Sequence, residues 1–275
     1  MLLHVALATT NVYLTSLMFL SLLSHPANYR FTLVLRFLVL CLGLPLVAVL
    51  LWDLSGLDRT VIAWYGSAQG FYWKDNFWLT EVLHVGVRRF CVAVALYCVV
   101  AIWLPLGWWR QASQRQRVWL ACNVWLCAIG IAALKSASLT SCPWDLAEFG
   151  AKGLYVWHFA SQLGIDASPG AGISADGGPG RCFPSGHASS FFSFLPAFWL
   201  ITIYNARRAK RLLAVFCIAG LALSWVQVMR GAHYPSHLLW TLWLCWAAGT
   251  ITAPLLRTAP STTAVPQLPP LQPLS

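Results

Sequence analysis

The sequence predicts an all-α, polytopic membrane helical bundle with six core transmembrane helices and a further hydrophobic segment at the N-terminus. Composition is the first reason: the 275 residues are 59% hydrophobic, and their 9% charged content compares with roughly 25% in a soluble domain. Mean hydropathy is +0.65, so too few charges remain to cover a water-facing surface, and a single integral membrane domain is the simplest organisation. The second reason is recurrence, because apolar runs near the roughly 20 residues needed to cross a bilayer return along the chain. The third is charge segregation. Arg110, Arg115 and Arg117 fall in one connection and Arg207, Arg208, Lys210 and Arg211 in another, with Arg30, Arg36 and Arg257 flanking helix ends on the same side. All eight acids (Asp53, Asp58, Asp75, Glu81, Asp145, Glu148, Asp166, Asp176) fall on the other. The basic connections are therefore expected to be cytoplasmic. The formal net charge of +10 then reports orientation and contact with anionic headgroups rather than nucleic acid.

Residues 2–23 form the weakest run, because His4, Thr9, Thr10 and Asn11 interrupt it. It fits a seventh span, a surface helix or an uncleaved anchor, and 1–30 is set apart as an N-terminal hydrophobic segment. The membrane domain proper, 31–258, begins with a span at 31–53. Residues 54–86 read as an outward loop whose aromatics (Trp64, Tyr65, Phe71, Tyr72, Trp73, Trp78) suit an interfacial belt. The next span, 87–106, starts with Arg88 and Arg89, which can snorkel to the interface, and 117–138 follows. Within the long connection 139–184, residues 144–163 read as a short helix along the surface. Residues 164–180, rich in Gly, Ser and Asp, read as a flexible loop able to gate a site. Spans at 185–205, 211–230 and 235–256 complete the six, and 259–275 is a Pro-rich tail without periodicity, expected to be disordered. Seven of the nine cysteines sit in apolar runs, as small buried hydrophobes do. Cys142 and Cys182 lie in the outward connection, where an oxidising compartment would let them pair; two free thiols are the alternative.

Three stretches carry chemistry. Gly180-Arg181-Cys182-Phe183-Pro184-Ser185-Gly186-His187 runs from loop into helix. Ser185 is a good N-cap, Gly186 lets an anion approach the backbone, and free N–H groups with the positive end of the helix dipole form an anion pocket within reach of His187. In Gln227-Val228-Met229-Arg230-Gly231-Ala232-His233-Tyr234-Pro235-Ser236-His237, Gly231 ends one span and Pro235 starts the next. That places His233 at the turn, with Arg230 at a helix end where a phosphate would partner it. Lys135, near the outer end of an otherwise uncharged helix, opens Lys135-Ser136-Ala137-Ser138-Leu139-Thr140-Ser141-Cys142-Pro143. Two imidazoles with nearby cations at a membrane surface read as a phosphate-handling site. His233 and His237 also have the i, i+4 spacing of a helical zinc pair, but Pro235 between them opposes one continuous helix and no third ligand is evident, so no metal is expected.

Together these motifs resemble the type 2 phosphatidic acid phosphatase superfamily (lipid phosphatase and vanadium haloperoxidase-like), membrane-integrated branch, over roughly 31–256. The family pattern is Lys-x6-Arg-Pro, then Pro-Ser-Gly-His, then Ser-Arg-x5-His-x3-Asp. Here the first-motif Arg is Cys142, the third-motif Arg is Gln227 and the third-motif Asp is His237. Arg181 and Arg230, outside the family positions, are expected to restore the lost guanidiniums. The resemblance implies cofactor-free, metal-independent phosphoryl transfer. His233 attacks phosphorus and forms a phosphohistidine; His187 protonates the leaving oxygen and then activates water; Lys135, Arg181, Ser185, Gly186 and Arg230 bind the phosphate. His237, or an acid such as Asp145, would orient His233 in place of the missing carboxylate. The implied substrate is a lipid phosphate or pyrophosphate; related bacterial enzymes act on undecaprenyl pyrophosphate, phosphatidylglycerophosphate or lipid A phosphates. The expected location is a bacterial inner membrane, with the site facing the periplasm or exterior. A phosphotransferase using the same histidine, and a headgroup-binding or transport protein without turnover, are the competing readings.

Overall fold

The computed structural model describes residues 18, 19, 21, 30–159 and 176–256. Most of the N-terminal run, the tail 259–275 and the greater part of 164–180 lie outside the described residues. Within them the protein is an all-helical bundle with one two-stranded hairpin, Gly66–Ser67 against Gly70–Phe71. Six helices are long and apolar enough to cross a membrane: Leu33–Leu54, Trp78–Val100, Gln114–Ala137, Gly186–Tyr204, Ala206–Met229 and Pro235–Leu256.

Each span shows how its sequence is accommodated without water. Pro45 in the first span lacks an N–H and cannot bond back to Cys41. The helix answers with a π-helical turn over Val39–Gly43, and sixth-span indoles take the freed carbonyls: Trp246 Nε1 donates to Cys41 O at 2.8 Å and Trp243 Nε1 to Leu42 O at 3.1 Å. Pro196 interrupts the fourth span in the same way. The chain tightens there into i→i+3 bonds, such as Trp199 N–H to Pro196 O at 3.0 Å. This span is the most enclosed, with 67% of its window buried, so it is the central helix. Small residues let its neighbours approach: Gly220 of the fifth span packs on Phe192, and a Cβ at Gly249 of the sixth would come 2.9 Å from Pro196 Cα. The apolar core gathers around Phe37, Phe198, Trp199 and Trp246.

The end opposite the histidines, called here the basic end, is simple. Ser113 and Gln116 form a reciprocal capping box at the start of the third span, and Asn205 caps the fifth. Arg115, Arg117, Arg207, Arg208, Lys210 and Arg211 therefore stand in the first turns of helices rather than in loops. Arg117 donates to the carbonyls of Ala112, Trp109 and Ile102 at 2.6, 3.2 and 3.2 Å, tying down the loop that leaves the second span.

The histidine-bearing end, called here the motif end, departs from the sequence expectation in three places. Residues 54–86 are not one loop: Leu57–Ala63 is a helix, and the second span begins at Trp78 rather than 87 because Trp78–Gly86 is π-helical and continuous with Val87–Val100. Among the polar residues of that stretch, His84 turns into the bundle toward Arg230 and His187, while Glu81 stays exposed. Phe71 is not part of an exposed belt; it is buried against Phe149 at 4.7 Å between centroids and lies under Gly231. Gly231 adopts φ +75°, a conformation and a space that exclude any side chain. Residues 144–157 are not a surface helix. They form two 3₁₀ turns, Pro143–Asp145 and Ala147–Phe149, closed by a Leu146–Gly153 bridge. Gly150 (φ +86°) and Gly153 break the helix pattern, and Leu146 and Phe149 face inward.

Candidate active site

Four long-range ties bring the motifs together at this end. A disulfide joins Cys142 to Cys182. Beside it, Arg181 and Cys182 donate backbone N–H groups to Ser138 O and Thr140 O at 2.8 and 2.9 Å. Buried Asp176 accepts from the Ser141 N–H and hydroxyl at 2.6 and 2.8 Å. The starts of the fourth and sixth spans are laced through Ser185 N–H to His237 O at 3.3 Å and Thr241 Oγ1 to Ser185 O at 3.1 Å. Arg181 is held at φ +58°, rare for a residue with a side chain; its backbone bond and the neighbouring disulfide fix it there.

The fourth span starts as the sequence suggested. The Ser185 hydroxyl accepts from Ala188 N–H at 3.3 Å, Gly186 opens the helix, and a Cβ there would lie 3.8 Å from Lys135 Nζ. Lys135 thus stands over the helix N-terminus. His187, in the first turn, faces a cleft of about 450 Å³ lined at its mouth by Arg88, Lys135, Ser136, Arg181 and Gly186. The floor is apolar (Ala95, Trp125, Ala128, Ala132). From Lys135 to Trp125 along one helix is a drop of about 15 Å, so the cleft descends from cations into what would be hydrocarbon.

His233, in the turn before the sixth span, is sealed: 1% of its surface is exposed, and none of His237. Its ring lies 5.8 Å from that of His187 between centroids. Burial, with His237, His187 and Lys135 nearby, holds the His233 imidazole well below its ordinary pKa, so the ring is neutral at pH 7. Nδ1 faces Cys182, whose sulfur is 3.6 Å away and whose backbone carbonyl also faces the ring.

Arg230 is buried and donates to Lys74 O at 2.9 Å and to Gln227 Oε1 at 3.1 Å, with His84 Nδ1 at 3.2 Å. It therefore lies beside the position of the lost third-motif arginine, on the same helix face. A guanidinium has no lone pair, so His84 Nδ1 accepts and its proton sits on Nε2. His84 Nε2 is in close contact with His187 Nε2, which makes the latter the acceptor and leaves the buried Nδ1 of His187 without a partner.

Of the two residues expected to orient His233, His237 does not bond to it directly: its ring is 5.7 Å away and faces the Cys182 backbone. Asp145 does not either, because it is held in the cap by the Cys142 backbone, Trp144 and Lys74. One further cluster, Cys182, His233 and His237, has ligand atoms within 4.8 Å of one another. With Cys182 engaged in the disulfide, two imidazoles remain, short of a zinc ligand set.

The family model described as PAP2 superfamily matches residues 118–260, just over half of the chain. The chain is a PAP2 protein. No curated protein and no solved structure gives a significant match. PAP2 proteins are phosphatases, so the kind of chemistry is phosphate-ester hydrolysis. In this PAP2 chain the match covers the third to sixth spans and leaves out the first two. Those two supply the residues that motif reading missed: His84 and Arg88 from the second span, Asp53 from the end of the first, and Asp58 just beyond it. A signal was present. His84 and Arg88 are four residues apart along a mostly apolar helix whose other charged residues are Glu81 and Arg89, in a chain where charge is scarce.

Proposed function

We propose that this membrane protein hydrolyses a lipid phosphate or pyrophosphate without a metal, through a phosphohistidine on His233. The observation that carries the reading is the cleft itself. His187 lines a cleft with three cations at its mouth and a mostly apolar floor, and the His233 ring lies 5.8 Å from the His187 ring, in the sealed turn before the sixth span. Such a spacing lets one phosphoryl group meet an attacking nitrogen and an acid in line. Neutral His233 attacks phosphorus and the P–O bond to the lipid breaks; His187, protonated from solvent once substrate displaces its contact with His84, passes that proton to the leaving oxygen. His187 then takes a proton from water, which attacks the phosphohistidine and returns His233 to its neutral form. Lys135, Arg181 and Arg88 line the mouth, and Arg230 stands behind His84, so fixed cations supply the charge stabilisation that a metal supplies elsewhere. Ser185 caps the helix while the Gly186 N–H points to the phosphate. The apolar floor suits an acyl or prenyl tail. The positive-inside rule puts the basic end in the cytoplasm and the site at the outer face of a bacterial inner membrane.

The test is phosphate release by detergent-purified protein from a panel of lipid mono- and diphosphates, with a chelator present and His187→Ala and His233→Ala as controls. Hydrolysis that survives chelation and vanishes in both variants supports the reading. Phosphate moved to another lipid, with none free, replaces it with a transferase; headgroup binding without turnover replaces it with a binding protein.

A further inference from the structure

One cation of the motif end stands apart from the rest. Arg88, Lys135 and Arg181 line the cleft, and Arg230 is not among the lining residues. Arg230 is buried, and its guanidinium is engaged with protein groups. Nε donates to Lys74 O at 2.9 Å, and Nη1 meets Gln227 Oε1 at 3.1 Å and His84 Nδ1 at 3.2 Å. Gln227 stands where the third-motif pattern has Arg, and it is buried too. The guanidinium has thus moved three residues along the fifth span, and toward the second span it meets an imidazole.

His84 therefore links Arg230 to the cleft. Its Nδ1 accepts from the guanidinium, so its proton is on Nε2. That N–H is aimed at His187 Nε2, with the two rings 3.8 Å apart between centroids and edge to face at 78°. A cationic donor occupies the one lone pair of the ring, which fixes His84 as a neutral donor in a single tautomer. The segment that carries it, Trp78–Gly86, is π-helical, a winding that is rare and frequent at functional sites. Each link from Gln227 through Arg230 and His84 to His187 is a direct contact.

We propose that His84 is a further catalytic residue whose Nε2–H bonds a nonbridging oxygen of the substrate phosphate, with Arg230 as the positioning residue behind it, so that the two together replace the third-motif arginine. The proposal rests on the reading of the cleft as a phosphoryl-transfer site. Without substrate, His187 Nε2 accepts the N–H of His84. A phosphate seated beside His187 brings anionic oxygens, which are stronger acceptors than an imidazole lone pair. One of them takes the N–H, and His187 is released to carry its own proton. As His233 bonds to phosphorus and the P–O bond to the lipid breaks, negative charge is spread over the equatorial oxygens, where a donor already in place stabilises it most. His84 forms no covalent bond and gives up no proton. Arg230 polarises its N–H from behind, so a guanidinium outside the cleft still acts on the phosphate.

The test compares His84 variants in purified, detergent-solubilised full-length protein. His84→Phe keeps a ring without either nitrogen, and kcat/KM for phosphate release is expected to fall about 10²–10³-fold. His84→Gln, whose amide reaches the Nε2 position, should recover about 10-fold or more over Phe. His84→Asn keeps an acceptor for Arg230 without the Nε2 donor; it should stay as low as Phe, and it gives the readout if Phe does not fold. Arg230→Met is expected to cost about 10-fold beside His84 and less than about 3-fold in the His84→Phe background. Equal costs in both backgrounds overturn the action of Arg230 through His84. Gln no better than Phe and Asn, or His84→Phe at or above the wild-type rate, overturns the proposal and leaves His84 a structural partner of His187. Orthovanadate, a phosphate analogue read by its effect on the thermal midpoint, tests the donor whether or not a lipid substrate has been found. About 10-fold more should be needed in His84→Phe than in wild type, and an unchanged requirement overturns the proposal. Wild-type protein that releases phosphate from no lipid sinks the proposed function instead.

Discussion

Two helices in this protein begin with a histidine-bearing turn, and they are built in opposite ways. The fourth span is capped by its own Ser185, presents Gly186 and His187 to an open cationic cleft, and needs only local sequence to do so. The sixth has no cap of its own. Its Ser236 N–H bonds to Asp58 at 3.0 Å, brought from beyond the first span, and His233 and His237 are closed off from solvent. An acid near a helix N-terminus is favourable wherever it comes from in the sequence. The contrast separates two tasks. On the proposed mechanism the open start would meet the substrate, and the sealed start would keep a neutral nucleophile in fixed orientation with partners from the whole bundle.

The largest expected effect tests the sealed half. His233→Ala should lower phosphate release by about 10⁴-fold or more and abolish the acid-labile, alkali-stable phosphoenzyme trapped by an alkaline quench. His187→Ala, on the open half, should cost about 10²–10⁴-fold and leave phosphoenzyme detectable with substrates whose leaving group needs no proton. If both variants lose the intermediate equally, the two halves do not divide the work in this way.

Next comes the disulfide that joins the first motif to the open start. With a sequence separation of 40, Cys142→Ser should destabilise the fold by roughly 3–4 kcal/mol, read as a lowered thermal midpoint without reductant. A smaller effect should follow Asp58→Asn. Weakening the remote cap of the sixth span is expected to cost about 1–3 kcal/mol, against about 1 kcal/mol for Ser185→Ala at the local cap. Equal costs at the two caps would remove the distinction between them.

pH probes the sealed half through His233, by comparison with a variant that lacks it. The folded-state pKa of His233 lies well below its ordinary 6.5, so below that value the unfolded chain binds a proton that the native state refuses. Stability contributed by neutral His233 is therefore full above about pH 6.5 and declines as pH falls, by up to about 1.4 kcal/mol per unit. Thermal midpoints between pH 7.5 and 5 should show this decline, and His233→Gln should reduce it.

Much of this was legible in the chain. Hydropathy located five of the six spans closely, since an uninterrupted apolar run has few alternatives in a bilayer. It misplaced the start of the second by treating Thr80, Glu81 and His84 as loop residues; a helix tolerates them there because His84 turns inward to Arg230 and His187. Ser185 and Gly186 were readable because capping is local. The orienting partner of His233 was not, because both expected candidates, His237 and Asp145, are near a motif in sequence while the group actually facing Nδ1 is the disulfide loop at Cys182.

By itself, then, the sequence determined an all-helical membrane bundle, the PAP2 motifs and the local geometry of the fourth-span start, because hydrophobic length, capping and residue order act over short distances. Only the tertiary structure decided which charged groups gather at the motif end. Arg230 beside Gln227 and Arg88 at the cleft mouth owe their places to helix packing. In a low-dielectric interior a charge acts through nearness in space, wherever along the chain it resides.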